Sequence, residues 1–358
     1  MAYGSVNVDK MTTSDGISSS GVYGFKNKII NGAMVINQRG FSGTVTTDGA
    51  YTLDRFVAFS SSTSKYSVSQ NAGSVTPPVG FSNYLGVTSL AATSLAAGDY
   101  YQICQRIEGY NMADLNWGTA NAKTVTLSFW VYSSLTGTFG GSLENGNQNR
   151  AYPFTYTISS ANTWTQISIT IAGSTDGTWS STNTEGIGLY FGLGVGTTYS
   201  GTAGAWTTTT KYSATGAVSV VGTNGATWYI TGTQLEVGST ATSFDYRPFG
   251  TELQLCQRYY QRQSGFLAIA GSSTSAASCI NFGTEMRASP SLSVSGVLTL
   301  SDISAADWTQ SSASVNIPAG RVNTRSIFFD MTTFSGLTAN RPMANVNTGN
   351  SIILSAEL

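Results

Sequence analysis

Three turn-like stretches hold the side chains with the plainest chemical capacity. "DLNWG" sets Trp117 beside Asp114 and Asn116, "DGTWS" sets Trp179 beside Asp176, and a Gly- and Thr-rich run carries Tyr199 and Trp206. A saccharide offers an apolar ring face and a rim of hydroxyls, so recognising one takes a flat aromatic side chain with carboxylate or amide groups beside it. These residues are the candidates for a carbohydrate contact, and each has a plainer reading as a loop anchor or subunit contact. In "KTVTLSFWVYSS", Trp130 and Tyr132 alternate away from Val125, Leu127, Phe129 and Val131. That places them in a subunit contact or on the wall of a binding face. Two carboxylates astride a glycosidic bond would suffice for hydrolysis. Glu108, Asp114, Glu144, Asp176 and Glu185 are available, but no motif singles out a pair, so no catalytic residue and no enzyme activity are expected.

Absences narrow the chemistry further. The 358 residues include no histidine, which rules out Ser-His-Asp and Cys-His nucleophilic sites within the chain. A zinc site would have to be built from carboxylates and the scattered Cys104, Cys256 and Cys279. Those thiols read as free, buried groups of a chain folded in a reducing cytoplasm. The run "GIGLYFGLGVG" misses the spacing of a dinucleotide loop and no helix-forming sequence follows it, so it reads as a strand. No cofactor and no metal are expected. The net charge of −1 supplies no field toward nucleic acid. "MAYGSVNVDK" lacks the apolar stretch of a signal peptide, and no run reaches the roughly 18 apolar residues of a membrane span, so no membrane insertion is expected.

The elements that must position these side chains are mostly strands. Forty glycines with abundant Ser, Thr and aromatics are the composition of short strands joined by turns. "KTVTLSFWVYSS", "AYPFTYTISS", "TWTQISITIAG", "GIGLYFGLGVG" and "ATWYITGTQLEVG" alternate with a period of two, and turn-rich "GNQNR", "STDGTW" and "GTNGATW" separate them. Many antiparallel strands without intervening helices give an all-β class, a jelly-roll β-sandwich. The expected order is a period-free arm over residues 1–28, a jelly roll over 29–250, a short helical connector over 251–263 and a small β-domain over 264–358. In "TELQLCQRYYQR", Leu253, Cys256 and Tyr260 recur at helical spacing, with Glu252, Arg258 and Arg262 as a solvated face and Tyr259 and Tyr260 as packing residues.

"NKIINGAMVINQRG", "YTLDRF", "RIEGYNMADLNWGTANAKTVTLSFWVYS" and "YITGTQLEVGSTATSFDYRPFGTELQLCQRYYQR", in that order, resemble a module of tailed-bacteriophage virion proteins. The likeness is to tail fibres and minor structural proteins of marine and cyanobacterial phages, and it covers about residues 27–263. "EMRASPSLSV" resembles the start of the domain that often follows. The resemblance implies a jelly roll like those of carbohydrate-binding modules, made in the bacterial cytoplasm and displayed on the virion. It implies a tail fibre, homotrimeric, joined to tail or other virion proteins through the N-terminal arm and attached to a host cell-surface glycan. A protein decorating capsid or tail without a receptor role is the alternative, and a polysaccharide depolymerase the second. Related jelly rolls often carry consecutive calcium-binding aspartates in the closing strand, whereas Thr231 and Gly232 stand here, so a calcium site of that type is not expected.

Overall fold

Alternation of apolar and polar residues puts one face of each strand into a core, and two such faces laid together make a sandwich. The computed structural model describes residues 25–302, 307–309, 315–345 and 351–358. Most of the expected arm, residues 1–24, lies outside the described residues. The chain forms two units that divide between Phe249 and Gly250.

The first unit opens with β1 (Ser42–Thr44), β2 (Ala50–Tyr51), β3 (Phe56–Ser60), β4 (Tyr66–Gln70), β5 (Leu85–Ser89) and β6 (Tyr100–Glu108). It continues with β7 (Val125–Ser133), β8 (Gly137–Asn145), β9 (Ala151–Ile158), β10 (Thr165–Ile171) and β11 (Glu185–Val195). Two short strands follow, β12 (Ser200–Gly201) and β13 (Ser213–Ala214), before the long β14 (Thr227–Val237). One sheet runs β1-β4-β5-β14-β7-β10 and the other β2-β3-β6-β11-β8-β9. The chain passes repeatedly between the two, and every pairing within them is antiparallel. This is the jelly roll. Leu127, Phe129 and Val131 of β7 meet Ile187, Leu189 and Phe191 of β11 in its core. Trp228 lies fully buried among them and donates its indole N–H to the Tyr156 hydroxyl at 2.9 Å.

Polar side chains stitch the first described residues onto this sandwich. Asn27 Oδ1 accepts the N–H groups of Ile29 (2.9 Å) and Leu235 (3.0 Å), while its Nδ2 donates to the Thr233 carbonyl. Gln105 holds Ile30 with both ends of its amide at 2.8 Å. Phe25–Lys28 were expected at the end of the arm, yet Asn27 is buried within the jelly roll. On β14, Glu236 accepts the Thr242 N–H and hydroxyl, and Gln234 accepts the Asp245 N–H. A strap over 242–247 is thereby pinned to the sheet.

All of α1 (Phe249–Gln257) but its first residue belongs to the second unit. Glu252 is buried in it, contrary to its expected place on a solvated face. The helix ends at Gln257, and Tyr260–Gln263, expected as helical connector, is strand β15. The cause is a pairing partner far along the chain: β15 lies against Ile352–Ser355. The remaining strands are β16 (Leu267–Ala270), β17 (Ala276–Asn281), β18 (Ser291–Ser295), β19 (Thr299–Asp302), β20 (Asp307–Thr309), β21 (Val315–Asn316), β22 (Ser326–Met331), β23 (Pro342–Asn345) and β24 (Ser351–Ser355). They form a β15-β24-β18 sheet and a β20-β19-β23-β16-β17-β22-β21 sheet around Phe266, Ile327, Phe329, Met331, Ile352 and Leu354. Tyr259 and Tyr260 are buried packing residues, and Cys104 and Cys256 are buried free thiols. Cys279 departs from expectation. It is exposed, because it faces outward on β17 between the inward Ser278 and Ile280.

Candidate functional site

Three of the aromatic candidates meet. Trp117 lies beyond β6, Trp179 between β10 and β11, and Trp206 between β12 and β13, and their rings pack edge to face. Centroids are 4.8 Å apart for Trp117 and Trp179, 5.3 Å for Trp117 and Trp206, and 5.5 Å for Trp179 and Trp206. Tyr152 of β9 extends the group, 5.2 Å from Trp206. Every indole N–H in the cluster is donated to a backbone carbonyl: Trp117 to Lys123 (2.8 Å), Trp179 to Asp176 (3.0 Å) and Trp206 to Ala172 (2.8 Å). Gly118 makes room, since at φ 85° a Cβ there would stand 3.0 Å from the Trp179 ring. Trp117 is buried, whereas Trp179, Trp206 and Tyr152 are half-buried and present partial faces to solvent.

A charged rim adjoins the cluster. Arg150 grips Asp176 through Nε and Nη2, both at 2.7 Å, in the two-pronged geometry that guanidinium and carboxylate favour. This hydrogen-bonded pairing holds the Asp176 carboxyl below the usual range. Asn145 ties the neighbouring turn together, accepting the N–H groups of Asn149 and Arg150 and donating to the Thr178 carbonyl at 2.9 Å. Such a surface offers ring faces for stacking and an ion pair whose outer lone pairs and N–H groups can meet hydroxyls.

Other candidates lie elsewhere. Asp114 is ion-paired with Lys28 at 2.7 Å, and Asn116 is an exposed residue in left-handed conformation. Tyr199 belongs to a separate tyrosine group, 5.1 Å from Tyr212 and 5.7 Å from Tyr100. Tyr132 stacks flat on Tyr229 on the outer face of the β7 sheet, with centroids 5.3 Å apart and planes at 4°. Trp130 lies two residues back on the same face, opposite Gln166 of β10.

The carboxylates do not make an open pair. On the outer face of the other sheet, Gly188 sits between Arg106 of β6 and Glu144 of β8. Arg106 Nε lies 3.1 Å from Glu185. Burial pushes the Glu144 carboxyl up to about 8, and the neighbouring Glu185 carboxylate adds to the rise. Burial raises Glu185 as well, against the pull of Arg106. Glu144 is 0% exposed, so no glycosidic bond reaches it in this conformation. Glu108 is likewise buried.

Sequence reading missed Arg150, Tyr152, Trp164 and Gln166. Gln166 had a signal: it alternates with Ile167 on β10, so it shares the outer face with Trp130.

No family model matches the sequence, and no curated protein does. Among solved structures, the chain is similar to the enzymatically active domain of bacteriophage CBA120 tailspike protein 4, with a TM-score of 0.32 and 12% identity over 59% of this chain and 21% of that one. The chain thus spans a minor part of the tailspike domain's length. It is also similar to a family 11 carbohydrate-binding module of Clostridium thermocellum in complex with a β-1,3-1,4-mixed-linked tetrasaccharide (TM-score 0.27, 11% identity, 56% and 98% covered). A family 61 carbohydrate-binding module in complex with β-1,4-galactotriose gives a TM-score of 0.30 at 9% identity, with 60% and 100% covered.

Proposed function

We propose that this chain is a phage virion protein, a tail fibre whose jelly roll attaches the particle to a glycan on the host surface. One observation carries the reading. Trp117, Trp179 and Trp206, from three separate loops, converge in a single half-exposed cluster with an Arg150–Asp176 rim. Stacking on ring faces with polar groups at the edge is the chemistry a sugar asks for. The virion part of the reading is supported by the motif resemblance over residues 27–263. It brings with it an N-terminal arm that joins the particle and a homotrimer in which three weak sites act together. The protein binds without cleaving, and the burial of Glu144 and Glu108 supports that part.

A decorating protein without a receptor role is the second reading. The completed indole hydrogen bonds favour it, because a satisfied donor is also what a loop anchor needs. Competition separates the two. Added full-length chain should block adsorption of the phage to its host, and the Trp179→Ala/Trp206→Ala chain should block far less. A wild-type chain that leaves adsorption untouched contradicts the attachment role. Light scattering should return three times the 37.6 kDa chain mass, and a stable monomer would contradict the trimer.

A further inference from the structure

Trp130 differs from every other tryptophan whose side chain is described. Trp117, Trp164, Trp179, Trp206 and Trp228 each donate the indole N–H inside the protein. Each also packs against another aromatic ring. Trp130, half-buried, does neither. It lines a pocket of about 200 Å³ on the outer face of the β7 sheet.

Two further polar groups with no partner among the described residues line the same pocket. Ser128, on β7, is only 7% exposed, and its hydroxyl makes no hydrogen bond. Gln166, across from Trp130 on β10, has an amide equally uncommitted. The Ser128 hydroxyl and the exposed Gln166 amide open on water at this concave surface, so a guest can take them up as hydrogen-bond partners without breaking any bond within the protein. The opposite wall is aromatic and held in place. Phe81, Phe244 and Tyr246 pack with centroids 4.9–5.6 Å apart. The Tyr246 hydroxyl donates to the Gly80 carbonyl at 2.9 Å, and the strap bearing Thr242 and Phe244 is pinned by Glu236 and Gln234. Gly232 at φ 62° lets Phe81 seat, since a Cβ there would stand 2.6 Å from its ring.

We infer that this pocket binds one neutral pyranose ring, as a sugar site separate from the tryptophan cluster. Its lining includes no charged side chain, which suits a neutral sugar better than an anionic one. The aromatic walls suit the C–H face of a pyranose. The Trp130 N–H, the Ser128 hydroxyl and the Gln166 amide supply two-way hydrogen bonding to its rim.

The test uses the full-length chain and methyl α- and β-pyranosides of glucose, galactose and mannose, followed by saturation-transfer NMR and titration. At least one should bind saturably in the millimolar range. Trp130→Ala should weaken it by about tenfold or more. Trp130→Phe, which keeps a ring but loses the N–H, and Gln166→Ala should each weaken it several-fold, as loss of one hydrogen bond does. Tyr110→Ala, at an exposed ring outside both regions, should leave it unchanged. Should Trp130→Ala fail to melt cooperatively, Gln166→Ala and the nearly isosteric Ser128→Ala carry the test. The proposal is overturned if no pyranoside binds at about 50 mM, if Trp130→Ala and Gln166→Ala bind normally, or if Trp206→Ala alone abolishes binding. Tighter binding of methyl glucuronide than of its neutral parent would overturn the assignment of ligand class.

Discussion

In the cluster around Trp117, each indole is edged by two others and each N–H is spent on a carbonyl. Around Trp130, in the same jelly roll, the ring packs on no other ring among the described residues, and the N–H, a hydroxyl and an amide stand uncommitted at a pocket. The same residue type thus stands in two settings, and the state of its hydrogen bonds tells them apart. A ligand at the cluster can use ring faces and the Arg150–Asp176 rim. A ligand in the pocket could use donors and acceptors as well, so our proposal predicts the more selective binding there.

The largest expected difference between the regions is in stability. Trp117 is 5% exposed and packs into the core. Trp117→Ala should cost about 3–5 kcal/mol in denaturant unfolding, the range for emptying a large aromatic site. Trp130→Ala should cost less than about 1 kcal/mol, as a partly exposed ring does. Equal losses would erase the distinction between anchor and ligand group.

Gly232→Ala comes next. It puts a side chain into left-handed backbone and presses on Phe81, for about 1–3 kcal/mol in thermal unfolding. It should also abolish pyranoside binding, whereas Gly204→Ala, at φ 89° with open space around it, should keep it.

A pH effect sharpens the contrast with the covered face of the other sheet. The Glu144 carboxyl is raised from 4.5 to about 8, so the folded chain holds a proton that the unfolded chain has lost. Stability from this group is therefore complete below about pH 4.5 and declines as pH rises to about 8. Glu144→Gln should flatten that decline and raise the melting temperature at pH 8 more than at pH 5. A pH profile unaltered by the substitution would contradict the burial argument. The smallest effect belongs to Asp176→Asn. Its carboxyl, itself exposed, is held low by the half-buried Arg150, and a pair open to water on one side contributes little. Its melting curve should stay close to wild type.

Much of the fold was legible because alternation is local. β7, β9, β10, β11 and β14 could all be read from period-two patterns. Tyr260 misled, because its spacing from Cys256 fits a helix while its true partner, Ser355, lies at the other end of the unit. Single tryptophans on turns were legible as candidates, but their meeting was not, since it depends on how three loops fold back. The pocket was still less visible: Phe81 and Tyr246 come from opposite ends of the jelly roll's sequence. In the fold, Gln234 and Glu236 are buried clamps for the strap that forms the pocket wall.

The most direct measurement is retention of the purified full-length chain on an array of bacterial capsular and lipopolysaccharide glycans. Wild type should hold at least one glycan, and Trp179→Ala/Trp206→Ala, still cooperatively folded, should bind it about tenfold or more weakly. Retention of no glycan by wild type, or equal retention by the folded double variant, would contradict attachment through the tryptophan cluster.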